Sequence, residues 1–199
     1  MISLCMDTAY QNLVVGIYKD NTLVAGTSKE AFKKQSETIF VELDACLKKA
    51  HLDYADIDRI VITEGPGSYT GIRIAMTIAK VLCTQLHIQL CCISTMQLYA
   101  GKDKQCNVLL DARSNRAYVA HVENGTIQGN TEILELDDIL AWLEKHPGTV
   151  YGDGHLIGLE DKNPDFLKNF IDLEPNYRHV ENIHALVPQY LKESDAYKA

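Results

Sequence analysis

The chain has 199 residues, with 19 Lys and Arg against 27 Asp and Glu, and a formal charge of −8. That length supports one ordinary domain or two small lobes, burying roughly 70% of the unfolded surface without staples. The acidic balance argues against a general nucleic-acid binder, and the 46% hydrophobic content with five Pro excludes a disordered chain.

The longest apolar run is far short of the roughly 20 residues needed to cross a bilayer, so no membrane span is expected. Met1-Ile2-Ser3-Leu4-Cys5-Met6-Asp7 has neither a basic n-region nor an h-region, so no signal peptide is expected. The six Cys, at 5, 46, 83, 91, 92 and 106, form no C-x-x-C pair. They read as reduced, mostly buried thiols, and the expected location is cytoplasmic.

In chain order, Ile2 to Met6 is a short apolar strand ending at Asp7. Leu13 to Tyr18 is a second strand, Asp20-Asn21 a turn, and Thr22 to Thr27 a third strand. The spacing of Ile39, Leu43, Cys46, Leu47 and Ala50 predicts a helix capped by Ser36. Arg59 to Thr63 is a buried-type strand, followed by a Gly-rich loop, a helix from about Thr70 to Leu86, a strand at Ile88 to Ile93 and a short helix over Thr95 to Ala100. The order is βββαβαβα.

The second half opens the same way. Asn107 to Leu110 is a strand ending at Asp111, 104 residues after Asp7, and at that offset Val15 meets Val119, Thr22 meets Thr126, and Leu23 meets Ile127. Two related lobes are expected, each opening with a β-meander: 1–101, and a reduced 102–177 with a helix at Asp137 to Lys145, a strand at Thr149 to Tyr151 and a short helix near Phe166. Ile183 to Lys192 reads as a helix, so the segment 178–199 is expected to be helical and to pack back on the first lobe.

The stretch Glu64-Gly65-Pro66-Gly67-Ser68-Tyr69-Thr70-Gly71-Ile72-Arg73 lies between a strand and a helix, where backbone N–H groups can face an anion. It lacks the Lys-Ser/Thr of a Walker loop, and its G-x-G-x-x-x-G spacing is one residue too long for a dinucleotide fingerprint. It is either a close approach to a phosphate or partner, or a tight connection whose glycines relieve strain. The following helix is apolar nearly all round, apart from a stripe of Arg73, Thr77, Lys80 and Thr84. Gly71, Ala75 and Ala79 make a smooth ridge that suits an inter-subunit contact; the alternative is a helix sandwiched within its own chain.

No two of the seven His stand at i, i+3 or i+4, and no G-x-S-x-G elbow is present. Asp7 and Asp111 can hold a hydrated metal or phosphate between the lobes, or can cap turns. Gly152-Asp153-Gly154-His155 can line a nucleotide pocket or form a turn.

The run Gly65 to Ile74 resembles the signature of the TsaB (YeaZ) family. Met6-Asp7-Thr8-Ala9, Ser94-Thr95-Met96, Leu110-Asp111-Ala112-Arg113, Tyr151-Gly152-Asp153-Gly154 and Val187-Pro188-Gln189-Tyr190-Leu191 support it along nearly the whole chain. The resemblance implies an α/β, two-lobed actin/sugar-kinase/Hsp70-like (ASKHA) fold with a reduced second lobe. It implies a subunit of the machinery that makes threonylcarbamoyladenosine on tRNA. The larger paralogue, TsaD, transfers the threonylcarbamoyl group and carries a metal on an H-x-x-x-H motif. The matching positions here are Thr95 and Tyr99, which cannot replace imidazoles, so no metal and no catalytic residue are expected. Older naming of the family as peptidase-like finds no support in the residues. One departure is Gln35, where family members often carry a His before the Ser.

The resulting expectation is a non-catalytic scaffold that binds TsaD through helices near 36–50 and 70–86. Its interface residues would be Phe40, Leu43, Leu47, Gly71, Ile74, Ala75, Ile78, Ala79 and Leu82. TsaE would be reached through the TsaB–TsaD complex, tRNA only indirectly, and the chain alone would form a homodimer. No cofactor is expected on this chain by itself, with ATP or ADP at a partner interface. The alternative is a small ASKHA-type phosphotransferase or ATPase holding nucleotide at Asp7, Thr8, Gly65, Gly67, Asp111 and Gly152.

Overall fold

A computed structural model describes residues 1–191. Its first half contains β1 (Ile2–Asp7), β2 (Asn12–Lys19), β3 (Thr22–Glu30), α1 (Gln35–Ala50), β4 (Arg59–Thr63), α2 (Tyr69–Leu86), β5 (Gln89–Ile93) and α3 (Thr95–Ala100). β1, β2 and β3 pair as an antiparallel meander, β4 lies parallel to β1, and β5 lies parallel to β4. The central strands are apolar on both sides because both faces are covered. Leu4, Met6, Ile60 and Ile62 face α1 and α2, whereas Cys5 and Val61 join the core around α3.

The second half contains β6 (Cys106–Asp111), β7 (Arg116–Glu123), β8 (Thr126–Ile127), β9 (Glu132–Glu135), α4 (Leu136–Lys145) and β10 (Thr149–Gly152), then α5 (Phe166–Asp172) and β11 (Arg178–His179). β6 and β7 repeat the bounds of β1 and β2 at the 104-residue offset, and β10 runs parallel to β6 as β4 does to β1. The second sheet, in the order β10-β6-β7-β8 with β9 also on β7, stops where β5 would stand. Phe166 and Phe170 of α5 pack with Tyr99, Tyr18 and Leu110, so one core joins the two halves.

Three local expectations are corrected. α1 begins at Gln35, one residue before the expected Ser36 cap, and no side chain caps it. Gln35 is buried and donates from Nε2 to Tyr10 O at 2.8 Å, which draws that residue into the helix.

The ridge Gly71, Ala75, Ala79 faces inward. Ala75 and Ala79 are buried in the core, and a Cβ on Gly71 would stand 2.2 Å from Thr8 O. Small residues lie where α2 comes closest to the end of β1, and their smoothness serves that approach.

The C-terminal segment is not helical over 178–191; the rest of 178–199 lies outside the described residues. β11 pairs antiparallel with β5, Val180 N donates to Leu90 O, and Gln189 N donates to Glu64 O. Lys80 Nζ donates to the carbonyls of His184 and Leu186. These groups bond the first lobe instead of one another, and Pro188 has no N–H for a helix. The segment therefore runs as a strap along the flank of α2 marked by Arg73 and Lys80.

Candidate functional site

β1 and β6 end at equivalent places on facing lobes, and a carboxylate from a third place joins them. Asp153, buried just after β10, accepts hydrogen bonds from Tyr10 Oη, from Asp111 N at 2.7 Å and from Gln11 Nε2 at 3.3 Å. Tyr10 and Gln11 follow β1, so this side chain fastens the first lobe to the second. Burial pushes the Asp153 carboxyl above the usual range, while its donors pull it back.

Beside this latch lies a cleft of about 690 Å³, lined among others by Phe32, Ser68, Tyr69, Arg113 and Tyr190. Of the six residues expected to touch a nucleotide, only Gly67 and Asp111 line it. The other four are used by the fold. Asp7 is fully buried; its Oδ1 accepts from Ala9 N at 2.9 Å and from Thr63 Oγ1, while Oδ2 is buried without a partner. Burial raises its pKa, and the two hydrogen bonds oppose that shift only partly. Thr8 bonds α2 through its hydroxyl. Gly65 lies under Gln189 O, 2.7 Å from where its Cβ would stand, and Gly152 turns at φ 95° with its Cβ position 2.2 Å from Leu109 O.

The metal implied by the paralogue does not fit the matching positions. Thr95 is fully buried with its hydroxyl unpartnered, and Tyr99 is wedged edge-on to Phe166 at 4.9 Å between ring centroids. Burial pushes the Tyr99 phenol well above its ordinary value, away from the phenolate a metal would need.

The opposite side of the first lobe carries exposed apolar side chains: Phe40 and Val41 on α1, Val81 on α2, Tyr69 at its start and Val187 on the strap. The nine expected interface residues divide here. Leu43, Leu47, Gly71, Ala75, Ile78 and Ala79 are buried within the chain, Ile74 and Leu82 are half-buried, and Phe40 is exposed. Val41, Val81 and Tyr69 were missed. A 3.6-residue count that began on the small-residue ridge placed the wrong side outward.

The two meanders, each with a parallel strand beside its first strand, define a duplicated α/β protein of the actin-like (ASKHA) class, with the second lobe reduced. The family model described as "TsaD: tRNA N6-adenosine threonylcarbamoyltransferase" matches residues 28–152. The tRNA threonylcarbamoyladenosine biosynthesis protein TsaB of Bacillus subtilis is 26% identical over 220 residues, covering 98% of this chain and 96% of the relative. A Pseudomonas aeruginosa protein of solved structure, described as similar to peptidase YeaZ, superposes with a TM-score of 0.75 at 17% identity, covering 96% of this chain and 99% of its own. The tRNA N6-adenosine threonylcarbamoyltransferase of Lacticaseibacillus casei is 29% identical over 99 residues, 48% of this chain and 29% of that enzyme. This chain belongs to the TsaB (YeaZ) family.

Proposed function

We propose that this chain is a non-catalytic subunit of the assembly that forms N6-threonylcarbamoyladenosine in tRNA, holding the TsaD paralogue against the outer face of α1 and α2. The observation that carries this reading is the cluster of exposed apolar side chains on that face, with Val41 64%, Phe40 57% and Val81 56% exposed. Contiguous apolar surface of this kind marks a protein interface. The paralogue is a fitting occupant because its family model matches the segment that contains α1 and α2. Two homologous subunits can present the same helix pair to each other across a pseudo-twofold axis. With the paralogue absent, a second copy of this chain would cover the face.

The non-catalytic part of the reading rests on side-chain chemistry. The Asp7 carboxylate is enclosed, the Gly65–Gly71 loop is packed against Thr8, Ala9 and Gln189, and Thr95 and Tyr99 are core residues. Most of the acidic excess lies in 102–177, which suits a subunit that leaves tRNA to its partners. TsaE would join through the TsaB–TsaD complex, ATP or ADP would lie at a partner interface, and the setting is cytoplasmic. Among the described residues, no helix is long and apolar enough to cross a membrane.

The test is to co-express the chain with the transferase subunit of the same organism and assay tRNA modification from purified parts. Modification that needs both proteins, with no transfer or ATP turnover by this chain alone, is expected. Modification by the transferase alone at the full rate would overturn the proposal.

A further inference from the structure

The strap that replaces the expected C-terminal helix lies beside the face just described. Lys80, one residue before the exposed Val81, donates to the carbonyls of His184 and Leu186 at 3.2 and 2.6 Å. Arg73, one residue before Ile74, lies over the Tyr69 ring at 4.2 Å and donates from Nε to Tyr190 Oη at 2.8 Å. Tyr190 in turn stacks on Tyr69 with ring centroids 5.0 Å apart. The strap is thus fastened along the flank of α2 at two points, about two helical turns apart. Its inward residues, Ile183 and Leu186, join the first-lobe core, while Val187 turns outward and is 69% exposed.

An apolar residue that exposed, on a segment bonded along its length to an interface helix, has the same character as Val41, Phe40 and Val81. We propose that the strap is a third lane of the surface that receives the transferase paralogue, with Val187 its central contact. This inference rests on the helix-pair reading above and extends it across Lys80 to the C-terminal segment. The occupant is the transferase subunit because the strap continues the face on which α1 and α2 would meet its homologous helices. The Tyr190–Tyr69–Arg73 stack ties that lane to the cleft, since Tyr69 and Tyr190 also line the cavity. A partner seated on the strap therefore touches the rim of the cleft as well.

The experiment measures affinity for the purified transferase subunit of the same organism, using full-length chains carrying Val187→Asp or Val81→Asp. Both positions are exposed, so both variants should melt with the wild type. A carboxylate buried in an apolar contact should weaken binding at least tenfold in each. If Val81→Asp weakens binding and Val187→Asp binds as the wild type, the strap is not a lane and the helix-pair reading survives. If neither weakens it, the helix-pair reading falls and the strap with it. If Val187→Asp disrupts only the homodimer and leaves the transferase complex intact, the occupant is a second copy and the proposal is overturned.

Discussion

The hydroxyl of Thr8 donates to the carbonyl of Gly71 at 2.6 Å, and the same oxygen accepts from Ala75 N at 3.2 Å. A side chain from the end of β1 thus occupies one rung of the α2 backbone ladder. Thr8→Val should lower stability by about 1–3 kcal/mol, because buried polar groups lose a partner. Gly71→Ala should do more damage, since its methyl would lie 2.2 Å from Thr8 O and force the first turn of α2 away. Chemical denaturation of the two variants measures both losses, and a Gly71→Ala loss smaller than that of Thr8→Val would contradict the close approach.

Substitutions on α2 should divide by side. Ala75→Glu and Ala79→Glu place a charge in the core, and each should give a collapsed melt with a loss of about 3 kcal/mol or more. Val81→Glu, on the exposed side, should melt within about 0.5 kcal/mol of the wild type. Thermal melts of the three proteins in one buffer decide this.

The buried Asp7 carboxyl makes stability depend on pH in a definite direction. Its folded-state pKa is raised by burial above the ordinary value of 3.8, so the folded chain holds the proton more tightly than the unfolded one. The contribution is therefore fully present below pH 3.8 and is lost as pH rises toward the folded value, about 1.4 kcal/mol for each pH unit between them. Asp7→Asn removes this dependence. The melting temperature of Asp7→Asn minus that of the wild type should become more favourable from pH 4 to pH 8, and a flat or falling difference would show that Asp7 is held ionised.

Removing the Tyr10 hydroxyl, as in Tyr10→Phe, should lower stability by about 1–2 kcal/mol. Asp153→Ala should lower it further, because Tyr10 Oη and Asp111 N both lose their acceptor. In hydrogen exchange, amides of 8–11 and 111–115 should open faster in Asp153→Ala, while the β4 and β5 amides keep their protection.

The paired lobes were legible in the sequence because β1 and β6 each close an apolar run with Asp at a fixed offset, and alternation survives in any strand with a buried face. The strap was not. Ile183, Leu186, Val187, Tyr190 and Leu191 fall at i, i+3, i+4, i+7 and i+8, the pattern of an amphipathic helix. The bonds that override it come from Lys80, Glu64 and Leu90, about a hundred residues away. The direction of α2 was illegible for a different reason: a helix apolar on most sides has no moment strong enough to show which side its own sheet takes. The Asp153 latch joins residues 142 and 143 positions apart, a pairing that no local spacing reports.

All six cysteines are unpaired and buried. Burial pushes Cys5, Cys83, Cys92 and Cys106 up to about 12, and raises Cys46 and Cys91 as well. At neutral pH almost none of this sulfur is thiolate, so maleimides and iodoacetamide should find no ready target in the native chain. Alkylation then becomes a clock for opening events, with each modified thiol recording a passage through an unfolded region. A single cysteine placed at Val81 would be the fast-reacting exception, and its protection on adding a partner would footprint the docked face in otherwise unmodified protein.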